Sequence, residues 1–496
     1  VPSRLPRHPH LDVLRREART LQRAARSGDP AALARVGEHH GRPATPEFPL
    51  AAAQLVVARE YGFASWPRLR RYVDVVTDYG WDGAVASVPA SNPADEFCRL
   101  ACLTYTDDDG PHRWAAAARL LAEQPELTRT HIWAAAAAGR PADVRAFLAG
   151  DRSLARARGG PFGWRPLCYL TYSRTDALDA VAVAGELLAA GADPGEGFLF
   201  TGQPYTFTPL TGVLGGGERS QPRHPRWRQL ARLLLDEGAD PNDDQALYNN
   251  MFSPANDHLV LLFEYGLGHA RSESWSARLV ASPGHMLRTQ LRWAVEHDQL
   301  DRVRLLTVHG VNIDSPYEGD RPVWAAGDGR TPIELALLYG NTEIADYLLA
   351  HGARPPRPDP VSELIAAAFR ADRAAVQSVR DRNPGVLEET LRARPGLVVW
   401  GAAQAPAGVV ELLVELGFGV NALGRADAPV EQEWETALHH SAGEGDVDLT
   451  RRLLALGADP LVRDRRFDAT PLDWARHLHQ EATARLLEAP GSASDQ

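Results

Sequence analysis

A chain of 496 residues with 44% apolar and 24% charged side chains carries enough hydrophobic material for a packed interior, which excludes wholesale disorder. Its net charge of -11 sets a long acidic body against any phosphate backbone and argues against nucleic-acid binding. All 53 basic residues are arginine, and with the abundant Ala, Gly and Pro this reads as the product of a GC-rich bacterial genome.

The first ten residues are polar and broken by Pro2, Pro6 and Pro9, unlike a secretory signal. No later run of about 18 apolar residues would span a membrane. The cytoplasm is therefore the expected location. Leu11, Leu14, Ala18, Leu21 and Ala25 recur at helical spacing, and Leu50–Tyr61 reads as a further helix ahead of Gly62-Phe63-Ala64-Ser65-Trp66-Pro67. Residues 1–80 hold 13 arginines against 8 acids and are expected to form a small helical cap over the exposed face of whatever follows. Tyr79–Asn92 is expected to be a linker. Cys98, Cys102 and Cys168 make an odd set with no Cys-x-x-Cys pair, so neither a disulfide framework nor a zinc site is expected. Asp107-Asp108-Asp109-Gly110 lacks the alternating ligands and distal Glu of a calcium loop and reads as a solvated turn. No metal and no cofactor is expected.

From residue 93 to 490 two phrases alternate. A Thr-Pro-Leu opening stands at Thr208-Pro209-Leu210, Thr331-Pro332-Ile333, Thr436-Ala437-Leu438 and Thr470-Pro471-Leu472, with Arg165-Pro166-Leu167 as a variant. Thr caps a helix, and Pro suits its first turn, where no amide donor is needed. A closing phrase follows: Gly191-Ala192-Asp193-Pro194, Gly238-Ala239-Asp240-Pro241 and Gly457-Ala458-Asp459-Pro460, with looser copies at Gly310, Gly352 and Gly417. There the Gly suits a left-handed helix end and the Asp-Pro pair a turn.

These phrases resemble those of the ankyrin repeat, most fully over Thr436–Pro460 and next over Gly329–Ala353. Measured by that pattern, about eleven helix pairs begin near Pro93, Thr130, Trp164, Thr206, Asp244, Leu287, Gly329, Pro360, Arg394, Trp434 and Asp468. The expected fold is all-α: an ankyrin-repeat solenoid over residues 93–490 with a helical N-terminal cap. Mean unit length is about 36 residues against a norm of about 33, the excess sitting in inserted loops such as Glu196–Tyr205 and Gly215–Pro225.

The resemblance implies binding on a concave face formed by hairpin tips and first helices. It places Trp164, Tyr172 and Ser173 in the exposed slots of the third unit with Arg174 next to them, Phe207 in the fourth, Phe252 in the fifth and His297 in the sixth. Aromatic residues crowd units three to six, among them Trp227 and Tyr248, and aromatics favour a pocket because they bury area at little entropic cost. The glycine-rich, cationic insertion Gly215–Pro225, with Arg219, Arg223 and His224, suggests a lid or an anion clamp.

Two readings follow. One is a scaffold for a protein or peptide partner, with the acidic body favouring a partner that carries a basic patch. The other is a small-molecule binding protein or atypical enzyme, with Tyr172, Arg174, His224, Asn250 and His297 as its polar groups and either His as a base. No nucleophile elbow, phosphate-cradling loop or metalloprotease helix occurs, so no catalytic residue is assigned.

Overall fold

In the computed structural model the described residues are 5–6, 9–40, 47–176, 179–200, 205–269, 274–276, 279, 282–317, 329–339, 341–356, 359–404, 408–426 and 432–488. The chain is mostly helical and divides into two compact units, Val1–Met286 and Leu287–Gln496. No helix among the described residues is long and apolar enough to cross a membrane.

Local chemistry explains most of the helices. Thr208, Thr331, Thr436 and Thr470 each cap a helix through a reciprocal capping box, with Pro in the first turn of three of them. At the other end Gly238 and Gly457 take φ of +102° and +89° with open space around the missing Cβ. Backbone handedness, rather than crowding, selects glycine there.

In the first unit, the leader is four helices, Leu11–Arg26, Pro30–His40, Leu50–Glu60 and Trp66–Tyr79. Their apolar faces meet at Leu14, Ala18, Leu21, Val36, Val56, Val57 and Leu69, and that core takes in Leu199 and Trp275 from later segments. Arg35 bridges Glu60 at 2.6 Å and Glu17 at 3.1 Å across three of the helices. Helix pairs then follow, with consecutive first helices Ile132–Ala137, Pro166–Tyr172, Pro209–Leu214 and Asp244–Met251 packed in series.

The all-α expectation needs one amendment. A small sheet joins Gly80–Trp81, from the expected linker, in parallel to Phe198–Phe200, from the expected loop, which pairs antiparallel with Thr206–Phe207. Trp81, Phe198 and Phe200 have the strand preference and apolar bulk that a free linker or loop would waste. Trp81 lies 5.1 Å from Trp164 and 4.8 Å from Phe200, while Phe198 stacks on Trp164 at 4.3 Å, all between ring centres.

In the second unit the paired helices are Pro332–Leu338 with Thr342–Ala350, Pro360–Phe369 with Arg373–Arg382, Leu397–Gln404 with Val409–Glu415, Ala437–Glu444 with Val447–Ala455, and Pro471–His477 with Glu481–Glu488. Outside these pairs, Leu300–Val308 packs on Thr342–Ala350, and Val386–Ala393 sits between the second and third pairs. His439 closes one repeat on the next: its Nδ1 meets Thr436 at 2.8 Å and its Nε2 meets the Ala469 carbonyl at 3.0 Å.

Candidate functional site

The residues expected on an open face of the first unit are mostly used inside it. Trp164, Tyr172 and Phe207 are buried in the aromatic cluster around the small sheet. Tyr172 Oη donates to the Thr208 carbonyl at 2.8 Å, and its ring packs so closely on Gly212 that a Cβ there would lie 2.4 Å from it. Ser173 is buried against Thr175, with 2.9 Å between their hydroxyl oxygens. Arg174 is buried as well, and its guanidinium donates to four carbonyls: Thr171 at 3.2 Å, Ser173 at 3.0 Å, Gly212 at 2.6 Å and Pro222 at 2.8 Å. The slot assignment treated these positions as bare. The inserted strand Phe198–Phe200 and Trp81 cover them instead, because so much aromatic surface is worth more buried than wet.

The Gly215–Pro225 insertion is fastened, not poised as a lid. Gly216 and Gln221 form a backbone bridge, and the Gly217 amide donates to the Asn249 carbonyl at 2.6 Å. A Cβ on Gly216 would sit 2.4 Å from that same carbonyl, so the glycine run serves close approach. Its cations are committed. Arg219 pairs with Asp107 at 2.7 Å, Arg223 makes a two-pronged contact to Asp257 at 2.9 and 2.8 Å, and Trp227 lies between Arg223 and Arg228 at 4.5 and 4.6 Å.

His224, 1% exposed, accepts from the Arg226 amide through Nδ1 at 3.0 Å, and burial with Arg174 nearby pushes it down to about 3. It is a neutral structural group at neutral pH and offers no base to a substrate. Asn250 is buried and holds the carbonyls of Ala246 at 3.0 Å and Gly215 at 3.4 Å. Phe252 packs edge-on to Tyr248 at 5.2 Å. His297 belongs to the second unit, stacked on Trp293 at 3.6 Å, with burial lowering its pKa.

What the first unit does leave is a cavity of about 200 Å³ between Tyr105–Asp107, the insertion and the helix Asp244–Met251. Phe207 and Tyr248 line it, so two of the expected aromatics do meet at one site. Tyr248 Oη donates to Glu218 at 2.6 Å on its rim. Tyr105, Asn249, Gln245 and Glu218 were missed by sequence reasoning. The acidic run held the available signal: Asp109 is not a solvated residue but a buried partner of Arg113 at 2.8 Å, at the i, i+4 spacing of a helical pair, and it also takes the Thr104 amide. That pair anchors the turn that presents Tyr105.

The second unit holds a larger groove of about 620 Å³. It runs from the helix Pro332–Leu338 across Pro360–Phe369 to Arg373–Arg382. Leu337, Ala366, Ala367 and Val379 supply its apolar surface. Arg330, Arg370 and Arg382 stand against Glu334, Asp359 and Glu363 along it, a balance of charge that does not single out a basic partner. Glu334 and Asp359 also hold the caps of their helices, and Arg382 pairs with Glu363 at 3.0 Å.

The ankyrin-repeat family model matches residues 328–360 and 433–465, both in the second unit. No curated protein matches the chain.

Proposed function

The chain is an ankyrin-repeat protein, and on that premise we propose that it is a binding scaffold that takes an extended segment of a protein partner along the groove of its second unit. Repeats of this kind generally serve protein–protein contact. The observation that carries the reading is that the groove begins in a matched repeat and crosses into the next helix pair, offering a long track in place of a closed pocket. Its apolar floor would take alternate side chains, and its mixed charges would set register. In the same reading the helix pairs from Pro93 to Asp468 continue one repeat, the leader caps it, and the protein works in the cytoplasm.

The test is selection from a random 12-residue peptide display library on the full chain, followed by titration of the selected peptides against a Ser378→Arg variant. Ser378 is exposed and lines the groove. A loss of about tenfold or more, worth ~1.4 kcal/mol, is expected. Undiminished binding by every selected peptide would remove the groove from the proposal.

A further inference from the structure

Among the described residues, the groove of the second unit is lined by three cations and three acids, but they are not equally engaged. Glu334 accepts from the Thr331 amide at 2.8 Å and from the Thr331 hydroxyl at 3.0 Å. Asp359 accepts from the Val361 amide at 3.2 Å and from the Ser362 hydroxyl. Both carboxylates stand at helix N-termini, where the positive end of the helix dipole further offsets their charge. Glu363 is paired with Arg382 at 3.0 Å. Arg370 is exposed, and its guanidinium has neither an acid nor a hydrogen-bond acceptor among the described residues. Asp372, the nearest acid in sequence, is taken up in capping the next helix, where it accepts from the Ala375 amide at 2.9 Å.

Placement matters as much as number. Asp359 caps the start of the helix Pro360–Phe369, and the Glu363–Arg382 bridge lies in its first turn. Arg370 closes the same helix at its other end, about three turns or roughly 16 Å further along. Ala371 follows it at φ +53°, a left-handed turn whose amide donates to the Ala368 carbonyl at 2.9 Å, so the backbone that carries Arg370 is held. Ala366 and Ala367, one turn before it, keep the floor of the groove low. We propose that the segment bound by the groove carries an acidic side chain, Asp or Glu, that pairs with Arg370 while its apolar neighbours lie over Ala366, Ala367 and Leu337. Resting on the scaffold reading, this pairing adds the chemistry of the partner. Arginine offers a planar fork to a carboxylate, so the pairing fixes register as well as attracting. On a chain of net charge -11 an acidic side chain meets general repulsion, and a cation without a counter-ion is where that repulsion reverses.

The probes are the peptides selected on the full chain whose binding Ser378→Arg weakens. Asp or Glu at one shared position is expected in them. Its replacement by Asn or Gln should weaken binding about fivefold, as should Arg370→Gln. Both changes together should cost little more than either alone, because they remove the same pair. Arg370→Glu should refuse the parent peptide and accept one with Lys at that position. Arg451→Gln alters an exposed arginine away from the groove and should bind as the wild type does. An equal loss there would make the effect one of net charge and overturn the pairing. Melting curves check that each variant is folded. Peptides that respond to Ser378→Arg yet carry no acid, or that ignore a folded Arg370→Gln variant, would overturn the pairing and leave the groove standing. No Ser378-sensitive peptide at all would remove the groove and the pairing with it.

Discussion

Both units are built from short antiparallel helix pairs, but they differ in what lies over those pairs. In the first, inserted segments fold back as strands and pinned loops, and their aromatic side chains fill the surface that the repeat pattern would leave open. In the second, a groove of about 620 Å³ lies along the first matched repeat and the helix pair after it. The difference teaches that an inserted loop in a repeat is a source of core as much as of binding surface. Aromatic density therefore marks a site only where nothing else in the chain competes to cover it.

The comparison breaks most readily at Arg174. If the inserted loop is part of the core of the first unit, Arg174→Ala strands four carbonyls and opens a void, at a cost of about 4 kcal/mol. Denaturant unfolding should show this loss. A shift below about 1 kcal/mol would mean that the loop rests on the repeats without being built into them.

Glu196 probes the same covered region through pH. It is 1% exposed, its nearest cation is Arg165 at 3.9 Å, and burial pushes its carboxyl up to about 8. The folded state then holds a proton that the unfolded chain releases, so the contribution of Glu196 to stability falls as pH rises from its ordinary value through about 8. Glu196→Gln should stabilise the protein by roughly 3 kcal/mol at alkaline pH and by almost nothing below pH ~4.5. A pH-independent difference would show Glu196 to be solvated.

Gly212→Ala is the third step down. The new methyl meets the Tyr172 ring at 2.4 Å, and overpacking of that kind costs about 2 kcal/mol after any gain in helix propensity. In a Tyr172→Leu background the same substitution should cost little, since the ring is what the methyl strikes. An undiminished cost there would place the strain elsewhere.

The sequence made the repeats legible because their signals are local. Thr331 and Thr436 cap the helices that follow them, and Gly457 ends one, each within four residues of the backbone groups it serves. The leader helix from Leu11 was legible by its periodicity for the same reason. The candidate site was only partly legible, because its deciding contacts join residues far apart in the chain. Trp164 reads as a surface slot until Phe198 stacks on it, and Arg219 reads as a free cation until Asp107 meets it. Tyr248 and Phe207 were found by type, whereas Asn249 sits beside an expected Asn250 and carried no mark of its own.

The smallest effect is the sharpest contrast. Ser378→Arg adds a far larger side chain than Gly212→Ala does, yet it enters open space on an exposed helix face of the second unit. Its cost should stay within about 0.5 kcal/mol, the usual range for surface changes. Adding Arg to a helix near Arg382 brings mild repulsion, which salt should screen. A Ser378→Arg variant that melts with the wild type but loses its selected peptides would separate a surface kept clear for a partner from one filled by the chain itself. If this substitution instead cost as much as Gly212→Ala, the groove would be occupied by the chain in solution, and the contrast between the two units would reduce to a difference in which segment does the covering.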